Sequence, residues 1–460
     1  MTRSGRQFDG QTDGRPIRVA FRTTGCKVNQ FDTTSVMTAL ADLPIEFCHP
    51  DEGADLVVVN ACTVTMKADR DGRAYAYRAA RTGARVLLAG CLATRIADSC
   101  ESMPNGIEVS PGTADRTALV TRIASLVEEM LRQRASDEDR TDDDGRPGGI
   151  SGGSLPESAE DEDGVGLSRS RPLVKIQDGC DCRCSYCIVP LVRGPSRSVS
   201  IQDVTRQVEA ASLAGAAEVV LTGVDLAAWG RTDDGRYGHL HDLLKHLTAM
   251  GTSMRFRLSS LEPYGLDDDL VDSIASNPDI CPHLHIPMQS GADTVLSRMN
   301  RPYSSARFRD LVSRAAGAIP GLVLGMDVIA GFPGESDEEF DQTRAMIRDL
   351  PTTYLHVFPY SPRPGTPAAV APNQVPVEVK RMRGRVLREF GQRRRKTHVA
   401  SLEGSLVEVV DIRPVSGGVE ALAADYTRVL IPNAPAMRDG RRMIRIIGSN
   451  ETTAIGKELE

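Results

Sequence analysis

The sequence predicts an α/β protein in three parts: an N-terminal parallel α/β domain, a central partial (β/α)6 barrel and a small C-terminal β-barrel. Three observations predict it. Before the chain turns acidic near residue 135, short apolar runs alternate with helix-length polar segments, the pattern of a parallel sheet covered by helices. After the acidic stretch six more such runs recur at helical spacing. From residue 399 onward the apolar runs are short and close together, as in a small closed sheet.

Residues 1–16 are polar and Gly-rich and predict a disordered tail. The N-terminal domain, 17–132, has strand candidates IRVAF (17–21), DLVVVN (55–60) and RVLLAG (85–90), each leading within a few residues to a cysteine, Cys26, Cys62 or Cys91. In an open parallel sheet the carboxyl ends of the strands share one edge, where ligands usually bind, so three distant cysteines can meet there. Between Ala135 and Ser170 stand 11 acids and 3 bases, a net of −8, so the chain's −7 leaves +1 for everything else. This segment has almost no bulky apolar residue and predicts a flexible linker over 133–170.

The barrel, 171–398, has strand candidates LVKIQ (173–177), EVVLTG (218–223), MRFRLSS (254–260), HLHIP (283–287), LGMDVIAG (324–331) and YLHVF (354–358). Its functional groups are expected at the carboxyl ends of those strands. A helix from Val377 to about Val399 carries many more bases than acids and follows Pro376, a suitable helix start. The runs SLVEVVDI, TRVLIP and RMIRIIG complete a β domain over 399–460.

Ten cysteines in a chain with no apolar signal core and no run of about 18 apolar residues point to metal or redox chemistry inside a cell rather than a disulfide framework. Cys180, Cys184 and Cys187 follow the first barrel strand at x3 and x2 spacing. Three thiolates can hold three irons of a 4Fe-4S cluster and leave the fourth open to a small molecule. A structural zinc site and ordinary buried thiols are the plainer alternatives, although Cys182-x-Cys184 is too close for the usual zinc spacing. Cys182 reads as a bystander, and Cys48, Cys100 and Cys281 as isolated thiols.

Cys180-x3-Cys184-x2-Cys187 resembles the radical S-adenosylmethionine superfamily, in which S-adenosylmethionine chelates the open iron and is cleaved to a 5'-deoxyadenosyl radical. The segments GCKVNQ (25–30), VVVNACTVT (57–65) and LLAGCLATR (87–95) resemble the methylthiotransferase family within it. That resemblance continues through KIQDGCDCRCSYCIVPLVRGPSRS, LTGVDLAAWG, RLSSLEP, HLHIPMQSG, MNRPYS, DVIAGFPGE and HVFPYSPRPGTPA, in family order. It implies a flavodoxin-like N-terminal domain, a radical-SAM barrel and a TRAM-like RNA-binding β domain. It also implies a second 4Fe-4S cluster on Cys26, Cys62 and Cys91, which supplies or carries the sulfur, and a second S-adenosylmethionine that gives the methyl group. Thr222, Gly223 and Val224 would then let backbone approach the methionine part of the cofactor, and Ser260, Glu262 and Asp327 would hold its amino or ribose groups. For these acids plain solvation is the alternative, and Gly331, Pro333 and Gly334 shape a turn. His285 and Gln289 face the same barrel end, where His285 is equally readable as a satisfied core histidine.

The family's branches act on isopentenyladenosine in tRNA, on threonylcarbamoyladenosine in tRNA, and on an aspartate of a ribosomal protein. GCKVNQ and QDGC are most like the MtaB-type tRNA threonylcarbamoyladenosine methylthiotransferases. The implied reaction places a methylthio group on C2 of that adenosine at position 37 of the anticodon loop, in the cytoplasm, without a membrane. An electron donor such as flavodoxin or ferredoxin and a sulfur source are implied partners. Arg393, Arg394, Arg395 and Lys396 form a run of four cations suited to RNA phosphates, with a solvated helix face as the alternative. A non-catalytic RNA-binding protein stabilised by metal is the reading outside the enzymes.

Overall fold

The computed structural model describes residues 15–112, 116–138, 170–230, 239–437 and 440–459. The expected tail except residues 15 and 16, and residues 139–169 of the expected linker, lie outside them; the linker's expected start at 133 is too early, since a helix continues to Glu138. The chain divides into two compact units, Met1–Gly166 and Leu167–Glu460.

The first unit runs β1 (Ile17–Thr23), α1 (Lys27–Ala39), β2 (Ile45–Cys48), β3 (Leu56–Asn60), α2 (Met66–Arg81), β4 (Arg85–Ala89), α3 (Gly90–Asp98), β5 (Ile107–Val109) and α4 (Arg116–Glu138). All five strands are parallel in the order β2-β1-β3-β4-β5, the flavodoxin-like winding. The apolar run of β3 is explained by burial on both faces: Val57 and Val59 pack with Leu92 and Ile96, while Leu56 and Val58 pack with Val36 and Ile123. The short strands β2 and β5 were not legible because each carries a glutamate inside it, Glu46 and Glu108.

The second unit begins with β6 (Leu173–Lys175), β7 (Gln177–Asp178), α5 (Val189–Arg193), β8 (Arg197–Ser198), α6 (Ile201–Leu213), β9 (Glu218–Thr222), α7 (Leu240–Thr248), β10 (Arg255–Leu258) and α8 (Asp268–Ser276). It continues with β11 (His283–His285), α9 (Asp293–Arg298), α10 (Ser305–Ala318), β12 (Val323–Ala330), α11 (Asp337–Asp349), β13 (Tyr354–Pro359) and α12 (Val377–Ser401). Ser200, Asp267, Ser304 and Ser336 cap α6, α8, α10 and α11 by accepting from a backbone N–H of the first turn. Two parallel sheets, β10-β9-β6 and β11-β12-β13, are joined by bridges between Phe256 and Ile280 and between Ser260 and His285. Among the described residues no ladder joins β6 to β13, so the six-stranded wall stays open.

Strand alternation divides this wall. Val219, Leu221, Phe256, Leu258, Leu284, Leu324, Met326 and Val328 pack with the helices in one apolar core. Their neighbours along each strand, among them Glu218, Arg257, His285 and Asp327, therefore face the concave interior.

The end of the chain forms β14 (Leu406–Val415), β15 (Gly418–Ala423), β16 (Arg428–Pro432), β17 (Arg442–Asn450) and β18 (Thr453–Glu458), a closed barrel in the order β14-β15-β16-β18-β17 around Val409, Ala421, Val429, Ile444 and Ile446. It plugs the amino-terminal end of the larger barrel. Arg255 Nη2 donates to Leu422 O at 2.9 Å, and Arg257 donates to Ala423 O at 3.0 Å and to Ala424 O at 2.9 Å. Both guanidiniums are held by the fully buried Glu218, each Nε at 2.7 Å. The ring of Tyr426, held at a φ of 74°, stacks on His283 at 4.5 Å. Arg255 and Arg257 alternate with Phe256 and Leu258 along β10, and the small β-barrel buries them. No helix among the described residues is long and apolar enough to cross a membrane.

Candidate active site

Gln177 organises the cysteine loop. Its Nε2 donates to Asp178 O, Gly179 O and Ser196 Oγ at 3.1, 2.7 and 2.9 Å, while its Oε1 accepts from Asp225 N at 2.8 Å. Gly179 has a φ of 73°, and a Cβ there would lie 2.0 Å from Pro195 O, so the turn into Cys180 needs glycine. Burial would raise the Asp178 carboxyl, but Arg193 and Lys175 outweigh it and hold it below the usual range.

The far side of the loop rests on the segment after α9. Ser185 N and Oγ donate to Met299 O and Arg298 O at 3.0 and 2.7 Å, and Asn300 Nδ2 donates to Arg183 O at 2.7 Å. Arg301 Nη1 lies 3.2 Å from Cys184 Sγ, and its guanidinium grips both oxygens of Glu262. This explains the MNRPYS segment, to which the sequence reading assigned no role. Burial pushes the Cys187 thiol up to about 12 and raises Cys184 as well, with Arg301 opposing the rise at Cys184.

Sequence reasoning missed Asp225, one residue beyond the expected Thr222, Gly223 and Val224. Asp225 is buried, and its Oδ2 accepts from Tyr264 OH and lies 3.9 Å from Cys180 Sγ and 3.8 Å from Cys182 Sγ. Its Oδ1 is buried without a partner among the described residues. Cys182, Cys180 and Asp225 thus form a tight cluster, so Cys182 is closer to the site than a bystander. A buried orphaned carboxylate oxygen beside two loop thiols, Cys180 and Cys182, is a mark of an absent donor, since such an atom ordinarily costs about 1–3 kcal/mol. An ammonium group fits it. Gly223 leaves no room for a side chain, because a Cβ would lie 3.0 Å from Gln177 O.

The other expected cofactor contacts divide. Ser260 is exposed at the end of β10. Glu262 is committed to Arg301; burial raises its carboxyl, Arg301 lowers it, and the charges of Asp225 and Asp327 raise it further, which puts all of these groups in one neighbourhood. Asp327 accepts from His285 Nε2 at 2.8 Å and lies 3.4 Å from His356 Nδ1; these imidazoles outweigh its burial and hold it well below the usual carboxylate range. His285 is a satisfied histidine, since its Nδ1 meets Tyr354 OH at 3.1 Å, yet it faces the interior. Gln289, at a φ of 63°, bridges to Val328.

In the first unit, Cys26 immediately precedes α1, Cys62 follows β3 and Cys91 lies in the first turn of α3, so the three turns leave adjacent strands at their carboxyl ends. Asn60 ties them together. Its backbone O accepts from Thr24 N at 2.9 Å, and its Nδ2 donates to Asn29 O and Thr33 Oγ1 at 2.9 and 3.0 Å. A Cβ on Gly90 would strike Asn60 Oδ1 at 2.3 Å, and one on Gly25 would strike Cys62 Cβ at 2.3 Å. Cys91 and Cys62 are buried and Cys26 is exposed. Two helix amino ends at the cysteines favour negative charge there. Elsewhere burial raises the Cys48 and Cys281 thiols to about 11.

The four-cation run does not present one face. Arg394 donates to Arg348 O at 2.6 Å, Arg395 lies over the Tyr354 ring, and Lys396 pairs with Glu451 at 2.9 Å, leaving Arg393 against Phe390. Arg381, Arg385 and Arg388, spaced four and three apart on α12, are instead exposed and lack ion pairs among the described residues.

Residues 18–110 match the uncharacterized protein family UPF0004, and residues 174–347 match the radical SAM superfamily. The chain is 34% identical to the threonylcarbamoyladenosine tRNA methylthiotransferase MtaB of Bacillus subtilis, over 85% of this chain and 84% of that one. It is 31% identical to the MtaB of Aquifex aeolicus, over 83% and 89%. It is also 31% identical to the tRNA-2-methylthio-N(6)-dimethylallyladenosine synthase of Akkermansia muciniphila, over 85% and 88%. The solved structure of the radical S-adenosylmethionine methyltransferase TsrM from Kitasatospora setae, with cobalamin and a 4Fe-4S cluster bound, shares the fold at a TM-score of 0.53 and 14% identity, over 77% of each chain.

Proposed function

Because the chain belongs to the tRNA methylthiotransferase family of the radical S-adenosylmethionine superfamily, we propose that it attaches a methylthio group to C2 of threonylcarbamoyladenosine in tRNA. Its cofactors are S-adenosylmethionine and 4Fe-4S clusters. When bound, they supply the one-electron chemistry that removes hydrogen from an unactivated C–H bond. The single observation that carries the reading is the Cys180–Cys187 loop with the orphaned Asp225 Oδ1 beside it.

Cys180, Cys184 and Cys187 would hold one cluster, and Cys26, Cys62 and Cys91 a second. Asp225 Oδ1 would accept from the cofactor's ammonium group, and the side-chain-free Gly223 would let backbone close on its methionine part. Arg301 holds Glu262 and the Cys184 turn in place, so it acts by positioning. Arg381, Arg385 and Arg388 would meet RNA phosphates. A small redox protein such as flavodoxin or ferredoxin as electron donor, a separate sulfur source and a cytoplasmic location complete the proposal.

The test is mass spectrometry of tRNA nucleosides from cells with and without the protein. Loss of the methylthio form of threonylcarbamoyladenosine alone is expected. Loss of the methylthio dimethylallyl form instead would move the substrate, and no change in either would overturn the tRNA reading.

A further inference from the structure

The concave face of β11, β12 and β13 carries a line of polar groups that neither cluster requires. His285, Asp327 and His356 stand side by side on the three strands, with Asp327 directly opposite His356 in the ladder. His285 Nε2 and His356 Nδ1 lie 2.8 and 3.4 Å from the same oxygen, Asp327 Oδ1. From behind, Tyr354 OH fixes His285 Nδ1 at 3.1 Å. Exposure rises along the line toward the open edge of the wall: the side chains of His285, Asp327 and His356 are 7%, 21% and 52% exposed. His356 Nε2 has no partner among the described residues, while its Nδ1 lies 3.4 Å from Asp327 Oδ1 and its ring packs 4.8 Å from that of His285 and 5.3 Å from that of Tyr354. The line thus ends in a pre-oriented imidazole, in the same interior as Glu262 and the cysteine loop.

We infer that this line is the receptor for the polar N6 substituent of the target adenosine, with His356 as the residue that sets specificity. The inference rests on the proposed function and deepens it. A threonylcarbamoyl group carries a carboxylate, a hydroxyl and a urea. Protonated at both nitrogens, the ring can direct Nδ1–H toward Asp327 and donate Nε2–H to that carboxylate, a charge-assisted contact between two anions that would otherwise repel. A dimethylallyl group offers no hydrogen-bonding atom. It would leave His356 Nε2 desolvated and unpaired, the strongest ground on which a site rejects an analogue. Relatives named for either substrate are about equally similar to this chain, so the chemistry of the interior separates the substrates where overall identity does not.

The experiment uses cluster-loaded full-length enzyme and anticodon stem-loop RNAs that differ only in the target residue: threonylcarbamoyladenosine, dimethylallyladenosine or plain adenosine. Affinity is read by fluorescence anisotropy and methylthiolation by mass spectrometry. Wild type is expected to bind the threonylcarbamoyl stem-loop roughly ten- to hundredfold tighter than the plain one. His356→Phe should bring that ratio close to one, and His356→Gln, which keeps a donor, should recover part of it. Iron per chain reports whether the Phe ring disturbs the barrel; if it does, His356→Ala decides by the same ratio. A variant that keeps the wild-type ratio, or a wild type that does not discriminate, overturns the inference and leaves the function intact. Methylthiolation of the dimethylallyl stem-loop in place of the threonylcarbamoyl one overturns the proposed function itself.

Discussion

Asp225 shows how much one carboxylate can matter when half of it is unpaired. Its Oδ2 is satisfied by Tyr264, so the orphaned Oδ1 is the oxygen left for a cationic donor. Asp225→Asn should keep the shape and weaken S-adenosylmethionine binding roughly tenfold or more, measured by equilibrium dialysis on cluster-loaded protein. Iron content separates loss of the cofactor contact from loss of the cluster. The cysteines were legible because their spacing is chemical information in itself. Asp225 and Arg301 were not: an acid after a strand and an arginine in a loop read as solvated, and only the fold reveals that both are buried beside thiols. The reverse holds for Glu262, which the family resemblance suggested as a cofactor contact and which the structure gives to Arg301.

At the scale of elements, glycines decide whether the cysteine turns converge. Gly25 has a φ of 116° and no space toward Cys62, so Gly25→Ala strains the backbone and pushes the two turns apart. Iron in reconstituted protein should fall from about eight per chain toward about four, with the barrel cluster intact. Helix α12 gives a second element-scale prediction. Replacing Arg381, Arg385 and Arg388 together by Gln should lower the salt dependence of tRNA binding by about two to three in log–log slope, from fits of affinity against salt. Replacing Arg393 to Lys396 should change it less, because three of those four side chains are already engaged within the protein. The basic character of this helix was legible from composition. Which of its faces is free was not, because that depends on Tyr354, Arg348 and Glu451, all distant in sequence.

For the molecule as a whole, Glu218 joins two domains by holding Arg255 and Arg257, whose remaining N–H groups reach the β15 end. Glu218→Ala would leave guanidiniums buried without their anion and should destabilise the second unit by roughly 3–5 kcal/mol, read from urea unfolding. Burial would raise the Glu218 carboxyl, but Arg257 and its neighbours hold it well below the usual range. Its stabilisation is therefore complete above the ordinary carboxylate pKa and fades only as strong acid protonates the folded form. The three-part architecture was legible because strand periodicity survives in single sequences. The docking was not, because arginines on alternate positions of a strand carry the same pattern whether they meet water or a second domain.

The plug that Tyr426 and its neighbours form closes the large barrel at the amino ends of its strands. A ligand therefore reaches the polar interior from the carboxyl ends or across the open edge between β6 and β13, and loosening the plug would give that interior a second mouth on the side where, among the described residues, no clustered cysteine stands.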